Sequence, residues 1–225
     1  MLKAATRRYL DILASVYIYN EHRGYSSLDR VLEAIRGRCP EEREFIAQVE
    51  KHRADERKHY AMFKRYFELR GYMPYRVDHT CAHIDRLIRL TFGCPIDDLD
   101  TDEVIGSDEL FKKLCRIIMI TEIRGMNTVD KLLHSFLLKD DRPLVAIFKV
   151  IERDEPSHWM PYQGWLQRHG GEQSRLSERL ADFWVSCSLL FAKLPILYFN
   201  PRLPRRTDWQ DDHDKAIPRA TAEAA

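Results

Sequence analysis

Two stretches about a hundred residues apart carry the same word. RADERKHY (53–60) contains Asp55-Glu56-x-x-His59, and RDEPSHW (153–159) contains Asp154-Glu155-x-x-His158. One such word arises easily by chance in a chain with 35 acidic residues and 9 histidines. Two copies on matching apolar stripes restrict the fold far more. Stepping by threes and fours from Glu56 gives Phe45, Val49, His52, Glu56, His59, Phe63 and Tyr66. From Glu155 the same ruler gives Leu144, Phe148, Ile151, Glu155, His158, Tyr162 and Trp165. That spacing is one face of an α-helix.

Two more stripes obey the ruler. One reads Leu10, Ala14, Tyr17, Glu21, Gly24, Leu28, Val31, Ile35. The other reads Phe111, Cys115, Ile118, Glu122, Gly125, Val129, Leu132, Phe136. Each places one acid in an apolar seam with a glycine one turn later. The order along the chain is E, DExxH, E, DExxH. Glu122 follows Glu21 by 101 residues and Glu155 follows Glu56 by 99, which reads as an internal duplication with approximate two-fold symmetry.

The expected fold is all-α, a four-helix bundle with a long crossover between its second and third helices and an extra C-terminal helix. The periodicity predicts long helices over about 4–36, from Cys39-Pro40-Glu41-Glu42 to about 71, 107–139 and 140–168. Ser107 is a suitable N-cap. A shorter helix is predicted over 78–91, inside an aspartate-rich connection, and a fifth long helix over 174–194. Pro156 and Pro161 predict a kink in the fourth. The helical domain is expected to span 1–199, with an extended or loosely ordered tail over 200–225. FWVSCSLLFAKLPILYF (183–199) is the most apolar stretch. Its serines, Lys193 and Pro195 make it a poor spanning helix and favour packing on the bundle or on a twin subunit over membrane contact.

Four carboxylates and two imidazoles pointing into one core are too costly to bury without compensating charge. Two metal ions would compensate it. Glu21, Glu56, His59, Glu122, Glu155 and His158 form the ligand pattern of a di-metal site in a helical bundle, with i, i+3 pairs sharing one face. Oxygen and nitrogen donors suit iron, manganese or a mixed pair. Asp55 and Asp154 each precede a ligand glutamate and point about 100° away around the helix. There each can accept from the free ring N–H of a ligand histidine. The pseudo-symmetry predicts a crossed arrangement, Asp55 with His158 and Asp154 with His59.

With this motif order the chain resembles the ferritin-like di-iron carboxylate superfamily over about 4–168. The resemblance implies iron at Glu21, Glu56, His59, Glu122, Glu155 and His158. The doubled DExxH is similar to that of the multicomponent monooxygenase hydroxylases, the ribonucleotide reductase small subunit and rubrerythrins. The chain's length is similar to single-chain oxygenases of the superfamily.

Composition narrows the function further. The 36 basic and 35 acidic residues leave a net charge of +1, so no nucleic-acid binding is expected. The five cysteines (39, 81, 94, 115, 187) are scattered without a CxxC pair. That pattern fits reduced thiols, a cytoplasmic location and no rubredoxin iron. MLKAATRRYL does not read as a signal peptide. The first functional expectation is an O2-dependent oxidase or oxygenase acting on a small, largely apolar organic substrate. Its electrons would come from an external donor protein or from the substrate. Tyr17, Gly24, Tyr60, Gly125, Met126, Phe148 and Trp159 are the candidate pocket residues. A ferroxidase or peroxide scavenger, and a non-catalytic helical interaction module, are the alternatives. A homodimer is the expected assembly if the apolar C-terminal stretch meets a twin. His79 and His83, spaced i, i+4, are expected to be surface histidines. Arg202, Arg205 and Arg206 are expected to serve solubility.

Overall fold

The computed structural model describes residues 2–214. Among these residues the chain is all-α, and its one β-type pairing is an isolated bridge between Tyr75 and Arg205. The elements are α1 (Leu2–Arg38), α2 (Arg43–Arg70), α3 (His83–Phe92), α4 (Thr101–Gly106), α5 (Asp108–Leu133), α6 (Arg142–Asp154), α7 (Pro156–His169), α8 (Leu176–Ser188), α9 (Leu194–Phe199) and α10 (Asp211–Asp214).

Local signals set most boundaries. Ser107 Oγ accepts from the Leu110 N–H at the start of α5. Gly71 ends α2 with φ of 73°, a left-handed conformation that glycine adopts without a Cβ clash. Asp141 caps α6 through the Leu144 N–H and also binds Arg7, Arg70 and the Tyr66 hydroxyl. That buried carboxylate ties the start of α6 to α1 and α2.

The predicted fourth helix is divided at Glu155. Pro156 has no N–H to give to the carbonyl of residue 152, so the ladder breaks there. Glu155 nevertheless keeps helical angles (φ −49°, ψ −42°), and the His158 N–H donates to the Glu155 carbonyl at 2.9 Å. The seam therefore runs through the break. The third helix ends at Leu133, short of the expected 139. Phe136 consequently lies in a turn, 75% exposed, and drops out of its predicted stripe.

Between α2 and α5, Asp78 caps a 3-10 turn at His79–Cys81 rather than starting a helix, and α3 begins at His83. Asp100 caps the additional short helix α4.

α1 packs along α2, α5 along α6 and α7, and α2 against α6 and α7. Every apolar member of the two DExxH seams is buried, including Phe45, Val49, Phe63, Phe148, Tyr162 and Trp165. Each large side chain among them contributes about 1.5–3 kcal/mol of burial.

The expected loose tail is corrected over 200–214. Arg205 donates to Asp11 and to the Met73 carbonyl, with its guanidinium over the Tyr72 and Tyr75 rings. Asp211 accepts from Tyr60 and Lys64. These contacts fix the segment on α1 and α2, so Arg205 is structural. The rest of the predicted tail lies outside the described residues.

Candidate metal centre

Helix faces bring the predicted residues together at mid-length. Glu21 comes from α1, Glu56 and His59 from α2, Glu122 from α5, Glu155 from the α6–α7 junction and His158 from α7. Both histidines are fully buried, and Glu21, Glu56 and Glu155 are nearly so. Two sets of donor atoms lie within 4.8 Å of one another. One is Glu21, Glu56 and His59; the other is His52, Glu56, Glu122 and His158. Glu56 belongs to both. Glu155 sits beside the second set, its Oε2 3.8 Å from His158 Nδ1.

The rings are turned the same way in both halves. Nδ1 faces the carboxylates: His59 Nδ1 is 3.3 Å from Glu21 Oε2, and His158 Nδ1 is 3.3 Å from Glu56 Oε1. Nε2 faces an aspartate of the other half. His59 Nε2 lies 3.1 Å from Asp154 and His158 Nε2 lies 3.6 Å from Asp55. The crossed geometry is thus present, as a hydrogen bond on one side and a longer ion-pair contact on the other. Lys58 joins the two aspartates, at 2.6 Å from Asp55 and 2.7 Å from Asp154. Lys51 also binds Asp55. Lys58 occupies the gap of the first motif, where a sequence reading has no reason to prefer it over a solvated lysine.

The electrostatics follow. The His158 contact, followed by Lys51 and Lys58, holds Asp55 well below the usual carboxylate range despite burial. Burial pushes Asp154 up, but Lys58, Arg153 and His59 outweigh it and hold the carboxyl at about 2. Burial and the neighbouring Glu56 raise Glu21 to about 7 and Glu122 to about 8. Burial and Glu122 drive Glu155 well up. Burial works against charge on His158, but Asp55 and Glu56 outweigh it and lift the ring to about 11. Acids that resist ionisation around buried imidazoles mark a cluster short of positive charge.

Unpaired atoms point to the same need. His59 Nδ1, His158 Nδ1, both nitrogens of His52 and Glu155 Oε2 are buried without a hydrogen bond. Buried polar atoms are ordinarily paired, and these converge on one place. The donor set therefore fits metal ions held by carboxylate and imidazole, and His52 adds a third nitrogen. His52 stands one turn before Glu56 and stacks on His158 at 4.2 Å between ring centroids. It lies in its seam in the sequence, but its convergence with Glu122 and His158 appears only once three helices meet.

The glycines have a specific purpose. A Cβ on Gly24 would lie 2.2 Å from Glu56 Oε2, and one on Gly125 would lie 3.3 Å from Glu155 Oε1. Each glycine makes room for the carboxylate of a neighbouring helix.

A cavity of about 140 Å³ reaches the cluster. All four glutamates line it, together with Tyr17, Gly24 and Gly125 and aliphatic residues of α1, α5 and the Leu189–Leu194 segment. Its hydroxyl residues Ser27, Thr121 and Thr128 are hydrogen-bonded to backbone carbonyls of their own helices. Away from the glutamates, Asn20, His83 and the Tyr9 and Tyr17 hydroxyls, the wall is apolar. The other pocket candidates fall elsewhere. Tyr60 bonds to Asp211, Phe148 packs edge-on behind Tyr17, Trp159 packs on the core below the site, and Met126 does not reach the cavity. They share helices with the ligands but face other neighbours. His83, expected at the surface, instead forms part of the cavity wall with a buried, unpaired Nε2. His79 is exposed in the preceding turn.

Comparisons with protein-family models, with curated proteins and with solved structures find no match to this chain.

Proposed function

We propose that the chain is a di-iron carboxylate oxidoreductase of the ferritin-like superfamily. It would use O2 to oxidise a small, largely apolar organic substrate, with manganese or a mixed pair as the other metal choices. The observation that carries this reading is the apolar cavity in contact with all four glutamates. Its volume is close to the ~150 Å³ of an apolar cavity that accepts a benzene-sized molecule. A small substrate, or the end of a longer chain, would therefore sit against the carboxylates.

The metal pair would supply the O2 and electron chemistry. The protein's part is separable. Glu21, Glu56, His59, Glu122, Glu155 and His158 would hold the ions, with His52 beside them. Asp154 accepts from His59 Nε2–H and fixes the ring so that Nδ1 faces inward; Asp55 faces His158 in the same sense. Lys58 keeps both aspartates charged. Tyr17 and the aliphatic wall exclude water from the reacting centre and leave an apolar molecule as the favoured occupant.

Metal analysis of iron-loaded protein tests the site first: close to two ions per chain are expected. The reaction is tested by chemical reduction without oxygen, then exposure to O2 with candidate apolar substrates and product analysis. An oxygenated or dehydrogenated product is expected. Rapid turnover of excess ferrous ion or peroxide, with no organic product, would favour iron or peroxide handling instead.

A further inference from the structure

The C-terminal helical run has two unlike faces. One helical run, Leu176–Phe199, is long and apolar enough to cross a membrane by length and composition, and only 17% of its apolar window is buried. Val185 and Leu189 face the core. Phe183, Trp184, Leu190, Phe191, Ile196 and Phe199 face outward and are between 50% and 78% exposed. Large apolar side chains contiguous on one surface mark a place where something else sits.

The run cannot leave the core cheaply. Glu178 makes a buried two-pronged pair with Arg116 at 2.8 Å, and Asp182 pairs with the buried Arg124 at 3.0 Å. Removing one partner of such a pair leaves a buried charge. The run is therefore held along the molecule and does not span a bilayer.

Charge selects the occupant. Between residues 175 and 202 the acids are Glu178 and Asp182, and both turn inward to arginines. Its exposed charges are Arg175, which pairs with Glu109 of α5, then Arg179 and Arg202, with the half-buried Lys193 between them. Arg179 stands one turn from Phe183 on the same side. Two copies meeting through this face would bring Arg179 and Arg202 together, while the run's own acids, Glu178 and Asp182, turn inward and do not oppose them. An anionic lipid surface matches both the apolar face and its basic ends.

We propose that the outer face of α8 and α9 docks in the interface of an anionic bilayer, lying along it. Leu190 is half-exposed on that face and also lines the metal-centre cavity, as do Leu189 and Leu194. Docking would thus place the cavity wall against the lipid, from which an apolar molecule could enter. This last step rests on the proposed oxidoreductase function; the docking does not.

Flotation of the full chain with phosphatidylcholine vesicles, with and without phosphatidylglycerol, tests the docking. Binding is expected on the mixed vesicles and should weaken with salt. Phe191→Glu should weaken it by about tenfold or more while leaving helical content and metal content unchanged. The double variant Arg179→Glu/Arg202→Glu, at exposed positions that carry no core contact, should weaken binding to the anionic vesicles by about tenfold. Lack of binding to either vesicle overturns the proposal. So does a dimer by sedimentation that Phe191→Glu separates and that binds no vesicles, since the face would then be covered by a second copy. Metal content is read separately, so failure of the metal assignment cannot be mistaken for failure of docking.

Discussion

The two DExxH halves share one pattern and hold their residues differently. In the first, α2 runs unbroken, Glu56 fills the space left by Gly24, and His59 lies 3.1 Å from Asp154. In the second, the ladder breaks at Pro156, Glu155 stands farther from Gly125, and His158 lies 3.6 Å from Asp55. The first half also contributes His52; the equivalent seam position in the second half is Ile151. One half is tight and shared, the other looser. The repeated pattern places donors in both halves, but the two donor sets that result are not equivalent.

The largest expected effect follows from the sharing. Glu56 belongs to both donor sets, whereas Glu155 lies beside one. Glu56→Ala should empty both positions, and Glu155→Ala should leave roughly half of the metal, measured by elemental analysis after loading and desalting. Equal loss in the two variants would mean that the halves act as one unit.

Gly24→Ala against Gly125→Ala comes next. An added methyl at 24 collides with the Glu56 carboxylate at 2.2 Å, and one at 125 meets Glu155 at 3.3 Å. The carboxylates can swing aside, so the fold should survive. Metal affinity should fall by about 10–100-fold for Gly24→Ala, in the range seen when groups supporting a ligand are disturbed, and by less for Gly125→Ala. Chelator competition reads both. A larger loss at 125 would reverse the assignment of the tight half.

The helical seams were legible because a helix repeats every 3.6 residues and burial follows that period. The two DExxH seams, from Phe45 to Tyr66 and from Leu144 to Trp165, took their predicted faces for this reason. The crossed aspartates were legible too, since one residue of offset on a helix sets a direction. Other features depend on what lies opposite, which one strand of text does not contain. His52 reads as a core histidine until Glu122 and His158 are placed against it. Gly24 reads as open space until Glu56 fills it. Lys58 reads as surface until two aspartates from different helices meet it. The stripe ending at Phe136 failed because the periodic pattern outlasted the helix. The α8–α9 run showed its apolarity in sequence, but periodicity carries no information about whether a partner covers it.

His52 separates metal binding from stability. Its nitrogens are buried and unpaired, and burial together with His158 and His59 pushes its pKa well below the ordinary value. His52→Ile, which copies the second half's Ile151, removes a buried ring whose unsatisfied polar atoms cost about 1–3 kcal/mol. The metal-free protein should become more stable by about 1–3 kcal/mol in urea unfolding. The same change should weaken one metal position by about tenfold, as loss of a group supporting a ligand does. Stability and affinity moving together in the same direction would remove His52 from the site.

The smallest effect concerns protons, and here the two lone glutamates differ. Burial and Glu56 raise both, but His59 Nδ1 beside Glu21 pulls its value back to about 7, while Glu122 remains at about 8. A carboxyl whose folded pKa is raised binds more protons folded than unfolded. Its stabilising contribution is complete below the unfolded value of about 4.3 and is lost as pH rises through the folded value. The stability of the metal-free protein should therefore decline from about pH 5 toward pH 8, with the Glu21 share lost before the Glu122 share. A metal ion competes with the same protons, so its affinity should rise over that window as they leave. Glu122→Gln should flatten the decline all the way to about pH 8, whereas Glu21→Gln should flatten it only below about pH 7. The change is about 1.4 kcal/mol for each pH unit over which one such group remains protonated in the folded state alone, and solvent screening and relaxation will reduce it. Urea unfolding of chelated protein at half-unit steps of pH measures the slope. If both variants flatten the same part, the two carboxylates titrate as a single coupled group, and the inequality of the halves does not extend to their protons.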